Sequence, residues 1–165
     1  KWGDTAALAD EISRLRNGLA LRANDMYPSH VTVRGVLDQT YWIENGRKYR
    51  LEATADAEAV RLSQIDLRNW PEGGTLTGEQ YESKLAAVTD PAVEGGVPVD
   101  GAIVRDRNGN VYQFRGGKLH RFAIEWAVRA WRLDRRGTVM VDEAAFRFPA
   151  GLPIIAPPVI RADNI

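Results

Sequence analysis

The side chains with the widest chemical repertoire in this chain are its two histidines, His30 and His120. An imidazole can exchange a proton near neutral pH or bind a metal ion. The two histidines lie far apart in the sequence, and neither has a second ligand at the spacing of a metal-binding motif. We therefore expect structural roles for both, and we expect no metal ion and no cofactor.

The carboxylates and serines of the chain give no clear sign of a catalytic site. Asp142-Glu143 and the pair Asp56 and Glu58 stand where helices are expected to begin, a position at which negative charge is favourable. The serines lack the context of a nucleophile elbow, and the glycine turns lack the strand–loop–helix setting of a phosphate-binding loop. We predict no catalytic residue, and a carboxylate pair acting on a polysaccharide is kept as the alternative.

Aromatic residues in two similar hairpins are the best candidates for ligand binding. Trp42 could stack on a sugar ring with Arg34 and Arg50 beside it, or it could pack beneath the helix that follows its meander. Specificity is expected at the positions where the two hairpins differ. The candidate ligand-binding residues are therefore Trp42, Tyr49, Gln113 and His120.

Charge and composition narrow the class of protein. Twenty-two basic residues balance 22 acidic ones, so the net charge is zero, which argues against nucleic acid and against an anionic membrane surface as partners. The chain has no cysteine, which excludes disulfides and thiolate sites. Its apolar runs are shorter than the roughly 20 residues that cross a bilayer, so no membrane insertion is expected.

The two hairpins belong to an internal duplication. TYWIENGRKYRL (40–51) matches VYQFRGGKLHRF (111–122) with an offset of 71 positions, and the offset extends back to Val33 and Val104. Asn45-Gly46 is a strong signal for a two-residue hairpin turn, and Gly116-Gly117 takes the same place in the second copy. Each copy therefore reads as a three-stranded antiparallel meander.

Each meander is expected to lead into a helix, over 55–65 in the first copy and 124–133 in the second. Ala59-Val60-Arg61 then matches Ala127-Val128-Arg129 with an offset of 68, and Trp70-Pro71 matches Phe148-Pro149 with an offset of 78. Changes of offset that fall between elements are typical of a true repeat. In the second helix Trp126 and Trp131 point to nearly opposite faces, so at least one should leave the core of its own repeat.

The segment before the repeats is predicted to be a helix over 1–27. Its apolar residues follow the spacing of a coiled-coil seam over about two heptads, which fits an amphipathic helix packed on its own domain or, alternatively, the end of an oligomeric stalk. The candidate interface residues are Leu8, Ile12, Leu15 and Leu19.

These elements define the expected organisation. We predict an α+β fold in which an N-terminal helix precedes two similar repeats, each a three-stranded meander packed on a helix, with strands that associate across the repeats because one unit has too little core alone. The expected boundaries are 1–27 for the helix or stalk, 28–76 and 100–154 for the repeats, 77–99 for a helical linker and 155–165 for a proline-rich tail lying across a surface.

The second repeat combines a G-x-hydrophobic-V-R strand, a V-Y-x-hydrophobic-x-x-G-K-x-x-R-hydrophobic hairpin, a helix, a V-x-V strand and a closing hydrophobic-P-x-G. It resembles a short tandem module of secreted wall-associated proteins of actinobacteria and of tail-associated proteins of their phages. The resemblance covers 100–154 well and 30–76 less well. It implies an attachment or structural unit, and it transfers no catalytic residue.

The sequence therefore predicts a non-enzymatic structural or attachment module of a phage tail or of a bacterial cell surface, located in a virion or outside the cell. The expected partners are further copies of the chain, a larger protein assembly or a cell-surface polysaccharide. A carbohydrate-binding accessory domain or an enzyme acting on cell-wall polysaccharide is the alternative.

Overall fold

The computed structural model describes residues 23–52, 59–141 and 147–158. After a 3-10 turn at Ala23–Met26, these ranges contain strands and three short helices. The strands are β1 (Val31–Arg34), β2 (Thr40–Glu44), β3 (Arg47–Leu51), β4 (Ala59–Arg61), β5 (Glu72–Leu76), β6 (Val93–Glu94), β7 (Val97–Pro98), β8 (Ile103–Arg105), β9 (Val111–Arg115), β10 (Lys118–Arg121) and β11 (Thr138–Met140). The helices are α1 (Gln64–Arg68), α2 (Gly78–Thr89) and α3 (Glu125–Ala130).

The strands form two mixed sheets and a small hairpin. The first sheet has the order β4-β1-β2-β3-β5, and the second has the order β10-β9-β8-β11. In both, an antiparallel meander is flanked by a later strand that runs parallel to its first strand: β4 beside β1, and β11 beside β8. The hairpin β6–β7 lies in the segment between the repeats.

Both meanders turn at the residues that the sequence indicated. Asn45 and Gly46 have φ values of 53° and 71°, and Gly116 and Gly117 have φ values of 59° and 76°. Two successive residues with positive φ match the twist of the flanking strands, and asparagine and glycine tolerate this conformation at low cost. The two predicted three-stranded meanders are confirmed.

The duplication is visible in the backbone hydrogen bonds outside the ladders. The Lys48 amide donates to Pro71 O at 3.0 Å, and the Leu119 amide donates to Pro149 O at 3.0 Å. At the other end of the same strands, Glu52 N donates to Leu76 O. Its counterpart is the bond from Ala123 N to Ile154 O. The offset of 78 for the closing segment is thus supported by matching bonds at both ends.

The predicted α+β fold class was wrong, because the described residues are mostly β, with three sheets and only three short helices. The expected first-repeat helix is contradicted at 59–61, which form strand β4, and α1 begins only at Gln64. The match of 59–61 to 127–129 fails for the same reason, since 127–129 lie in α3. The counterpart of β4 is β11, because Val33 pairs with Val60 as Val104 pairs with Val139. A short apolar run does not distinguish helix from strand by periodicity.

The two repeats share one core, but they contribute different faces to it. The first sheet supplies Val33 and Ile43, whose counterparts Val104 and Phe114 lie in a separate cluster on the far side of the second sheet. The second sheet instead supplies the face that carries Ile103. The expected association of the repeats is therefore a packing of sheet faces, and none of the described strands of one repeat pairs with a strand of the other.

The segments outside the two meanders pack against surfaces of the sheets that the other repeat does not cover. Helix α2, capped by Thr77 and Gln80, packs Tyr81 and Val88 on the outer face of the first sheet. Where the second repeat ends, Ile154 is buried beside Phe122, and the amide of Ile155, the first residue of the tail, donates to Met26 O at 2.9 Å. The predicted N-terminal helix falls almost entirely on residues 1–22, outside the described ranges, as do Val159 and Ile160 of the tail.

Candidate functional site

The aromatic candidates of the first repeat lie on the sheet face that α2 covers. Trp42 has no exposed surface. Its ring packs edge-on against the Tyr81 ring, with the ring centroids 5.7 Å apart. Its indole N–H donates a hydrogen bond to the Glu44 carboxylate at 2.9 Å. Tyr49, its cross-strand neighbour, is half-buried against Gly73. Trp42 therefore packs beneath a helix, but that helix is α2 and not the helix that was expected directly after the meander.

The candidates of the second repeat lie on the face turned toward the shared core. Gln113 is fully buried; its side-chain oxygen accepts from Ser29 N at 2.8 Å, and its amide group donates to Ser29 O at 2.7 Å and to Gly101 O at 3.2 Å. His120 is half-buried, with Nδ1 2.8 Å from Leu152 O and 3.2 Å from Arg115 Nη2. Gln113 thus ties together the starts of the two repeats.

The four candidates consequently do not form one surface. Trp42 and Tyr49 are paired on one sheet, and Gln113 and His120 are paired on the other. Equivalent positions differ between the copies because their faces meet different neighbours, α2 in one case and the inter-repeat core in the other. The divergence between the hairpins follows from packing.

Beside Gln113, a second polar group joins the repeats. His30 is buried with a φ of 56°, and its counterpart Gly101 lies directly against the imidazole ring, leaving no room for a Cβ atom. Its Nδ1 lies 2.7 Å from Ser29 Oγ, and its carbonyl accepts from Arg136 at 2.5 Å. Its Nε2 lies 3.8 Å from Glu44.

The pKa of His30 is held below its ordinary value, chiefly because burial disfavours the charged imidazolium. The carboxylates of Glu44 and Asp100 oppose this effect, whereas Arg136 and Lys84 add to it. Lys84 bonds both oxygens of Glu44 at 3.1 Å, so that carboxylate already has a permanent cationic partner. His30 is thus an uncharged structural group at neutral pH.

Two further buried polar residues, Lys48 and Asp106, form hydrogen bonds with nearby groups of the chain. Lys48 is buried, and its ammonium donates to the carbonyls of Leu67 and Trp70, where α1 ends. Asp106 accepts four hydrogen bonds, two from the amides of Asn108 and Asn110 and two from the side chains of Asn110 and Tyr112. Burial acts to raise the pKa of Asp106, but these hydrogen bonds together outweigh it and lower the pKa, and they stabilise the turn between β8 and β9.

A cleft of about 340 Å³ lies between α3, the adjacent end of the second sheet and the loop before β11, and we call it the Trp126 cleft. Its apolar lining residues are Ile103, Val111, Val128 and Leu133. Its polar lining residues are Arg105, Glu125, Arg129, Asp134, Arg136 and Thr138. Trp126 lines the same cleft and is 54% exposed.

The two tryptophans of α3 separate as the helical spacing predicted. Trp131 is buried; it packs on Tyr27 at a centroid distance of 4.9 Å and donates to Ile155 O at 2.7 Å. Tyr27 in turn contacts Trp70 of the first repeat. Trp131 therefore leaves its own repeat for the shared core, while Trp126 faces solvent. Sequence reasoning did not assign Trp126 to a site, although its position opposite Trp131 was a usable signal.

The described residues hold no group of three or more histidine, cysteine or acidic side chains placed to bind a metal ion. None of the helices in the described part of the chain has the length and apolar character that crossing a bilayer requires. The candidate interface residues Leu8, Ile12, Leu15 and Leu19 lie outside the described residues.

Comparison of the chain with models of protein families, with curated proteins and with solved structures gives no match.

Proposed function

We propose that the chain is a non-enzymatic attachment module of an extracellular assembly, a phage tail or a bacterial cell surface. The observation that carries this proposal is the use of its buried polar side chains. Each of these side chains is hydrogen-bonded to neighbouring backbone or side-chain groups: His30, Gln113, Lys48 and Asp106. The polar residues that could take part in chemistry therefore hold loops and repeats in place. Such a molecule is built to present a rigid surface.

The duplicated architecture supports the same function. The two short repeats bury a common core in a chain that has no cysteine, and the second repeat resembles modules of wall-associated and tail-associated proteins. We further propose that further copies of the chain are partners, because the spacing of Leu8, Ile12, Leu15 and Leu19 suits a coiled-coil seam. Light scattering of the purified chain should then give a mass above that of the 18.4 kDa monomer, and a monomer would contradict this part.

An enzyme acting on polysaccharide is the second candidate, and one observation favours it. The Trp126 cleft holds two carboxylates, Glu125 and Asp134, beside an exposed indole. Paired carboxylates around a sugar site are what glycoside hydrolysis uses.

One experiment separates the two candidates. The fluorescently labelled chain is incubated with isolated actinobacterial cell walls, and retention on the walls and release of soluble saccharide are measured together. We expect retention without release. Release that is lost in Glu125→Gln or Asp134→Asn would establish the enzyme instead, and an absence of both retention and release would contradict the attachment function.

A further inference from the structure

We propose that the Trp126 cleft binds an acidic saccharide, with the indole stacked on a sugar ring and Arg129 paired with the carboxylate or phosphate group of the ligand. This inference rests on the proposed attachment function and names its site and ligand class. It follows from the size of the cleft, the exposure of Trp126 and the charges that remain without partners.

The dimensions of the cleft suit a small ligand or a short stretch of a polymer. Its volume of about 340 Å³ lies at the lower end of the range for ligand sites, roughly 300–1,000 Å³. Its apolar floor consists of side chains that also belong to the shared core, including Ile103 and Leu133, which are 1% exposed. The floor of the cleft is therefore part of the packed core that the two repeats share.

Within the described ranges, the Trp126 side chain is 54% exposed and does not belong to any of the buried clusters. The buried side of α3 is supplied by Ala127, Val128 and Trp131. An exposed indole leaves a large apolar surface in water, and such side chains are enriched where proteins bind partners and ligands. Its flat face beside a cleft suits stacking on the apolar face of a sugar ring.

The charged side chains that line the cleft indicate which ligand groups it can bind. Among the described residues, the guanidinium of Arg129 and the carboxylates of Glu125 and Asp134 form no hydrogen bond or ion pair. Arg105 donates to Gly109 O at 3.1 Å and Arg136 donates to His30 O, so both are held in place by backbone. A free guanidinium is a bidentate partner for a carboxylate or phosphate.

The two carboxylates argue against a ligand with closely repeated negative charges, such as a nucleic acid strand, because they would repel it. They accept hydrogen bonds well, and hydroxyl groups are the donors that a sugar offers in number. A ligand that combines hydroxyls, a ring with an apolar face and an isolated anionic group satisfies all three features of the cleft. An acidic saccharide has this combination.

The inference is tested by titrating the full chain with defined soluble probes in a calorimeter. The probes are an oligosaccharide that carries a single uronate carboxylate, an oligosaccharide that carries a single phosphate group, neutral malto-oligosaccharides and a single-stranded oligonucleotide. We expect one of the two acidic saccharides to bind, and the one that binds identifies the anionic group. The neutral sugar and the oligonucleotide are expected to bind at least tenfold more weakly.

Variants then assign the binding to the cleft. Trp126→Ala and Arg129→Ala should each weaken binding of the acidic probe at least tenfold. The matched controls are Ile65→Ala and Arg68→Ala, which remove an exposed apolar side chain and an exposed arginine from α1, outside the cleft. The controls should bind like the parent chain, and circular dichroism verifies that all four variants are folded.

The experiments distinguish a failure of the cleft assignment from a failure of the proposed attachment function. The inference is overturned if neither acidic saccharide binds, if the oligonucleotide binds more tightly, or if Trp126→Ala and Arg129→Ala leave the affinity unchanged. If the parent chain is retained on cell walls and the Trp126→Ala variant is retained equally, the attachment function stands while the cleft is not its site. If the chain binds an acidic saccharide through Trp126 but is not retained on walls, the cleft assignment stands and the attachment function fails.

Discussion

At the scale of single residues, buried polar side chains connect the two repeats through hydrogen bonds and close packing. Gln113 satisfies the amide and the carbonyl of Ser29 across the junction of the repeats, and His30 fills the space that a Cβ atom at Gly101 would need. A buried polar group stabilises a fold only if its bonds are complete, because an unsatisfied partner costs about 1–3 kcal/mol. These residues therefore specify how the repeats meet.

The stability of the protein should fall as the pH is lowered below the ordinary histidine pKa of 6.5. In the folded chain burial lowers the pKa of His30, and burial together with Arg115 lowers the pKa of His120. A group whose folded-state pKa lies below its unfolded value binds protons preferentially in the unfolded chain, so acid favours unfolding. Urea denaturation at about pH 7.5 and about pH 5.5 measures the effect as a difference in the free energy of unfolding.

His30→Asn isolates the contribution of the junction histidine. Asparagine tolerates the positive φ at this position and does not titrate. The variant should show a smaller loss of stability between the two pH values than the parent chain, and His120→Asn provides the comparison for the second histidine. A parent chain that becomes more stable toward pH 5.5 would contradict this account.

At the scale of elements, each repeat closes in the same way, with an aromatic ring of the third strand lying over a glycine of the closing segment. Tyr49 lies over Gly73, and His120 lies over Gly151. A Cβ atom at Gly73 would come within 2.6 Å of the tyrosine ring, and one at Gly151 within 2.2 Å of the imidazole. The glycine in the hydrophobic-P-x-G signature is therefore required by close packing, since neither has a positive φ.

Alanine at either glycine should destabilise the protein by about 1–3 kcal/mol, the usual cost of overpacking. The cost should nearly vanish when the ring is removed, so Gly73→Ala is measured in the parent chain and in a Tyr49→Ala background. Gly151→Ala in a His120→Ala background is the parallel cycle. If Gly73→Ala costs the same with and without Tyr49, the ring contact is not the reason for the glycine.

At the scale of the whole molecule, the two repeats form one core through non-equivalent faces. The first sheet presents the Val33 face and covers its opposite face with α2, whereas the second sheet presents the Ile103 face. Tyr27 lies between Trp70 and Trp131 and so connects the repeats through aromatic contacts. Neither repeat can bury this core alone, and we expect a single cooperative unfolding transition.

Trp131→Ala should lower the free energy of unfolding by about 3–5 kcal/mol, as expected for a large aromatic removed from a core. Both repeats should lose structure together, so tryptophan fluorescence and far-ultraviolet circular dichroism should report the same midpoint. Trp126→Ala on the same helix is the matched control and should change stability by less than about 0.5 kcal/mol, because its side chain is exposed. Two separate transitions in the parent chain would show that the repeats fold independently.

The sequence by itself determined the local architecture and the duplication. Hairpin turns at Asn45-Gly46 and Gly116-Gly117, alternating strands and a constant offset depend on residues close together in the chain, and all are present in the structure. Only the tertiary structure decided that Ala59-Val60-Arg61 is a strand, because a three-residue segment takes its conformation from the partner strand that it meets.

The tertiary structure also decided which face of each sheet is buried against the other repeat. For this reason Trp42 and Gln113, which differ most between the hairpins, lie in the interior, whereas Trp126 lies on the surface. Alternation predicts that two faces exist, but the choice between them depends on contacts between segments far apart in sequence, such as Gln113 with Ser29.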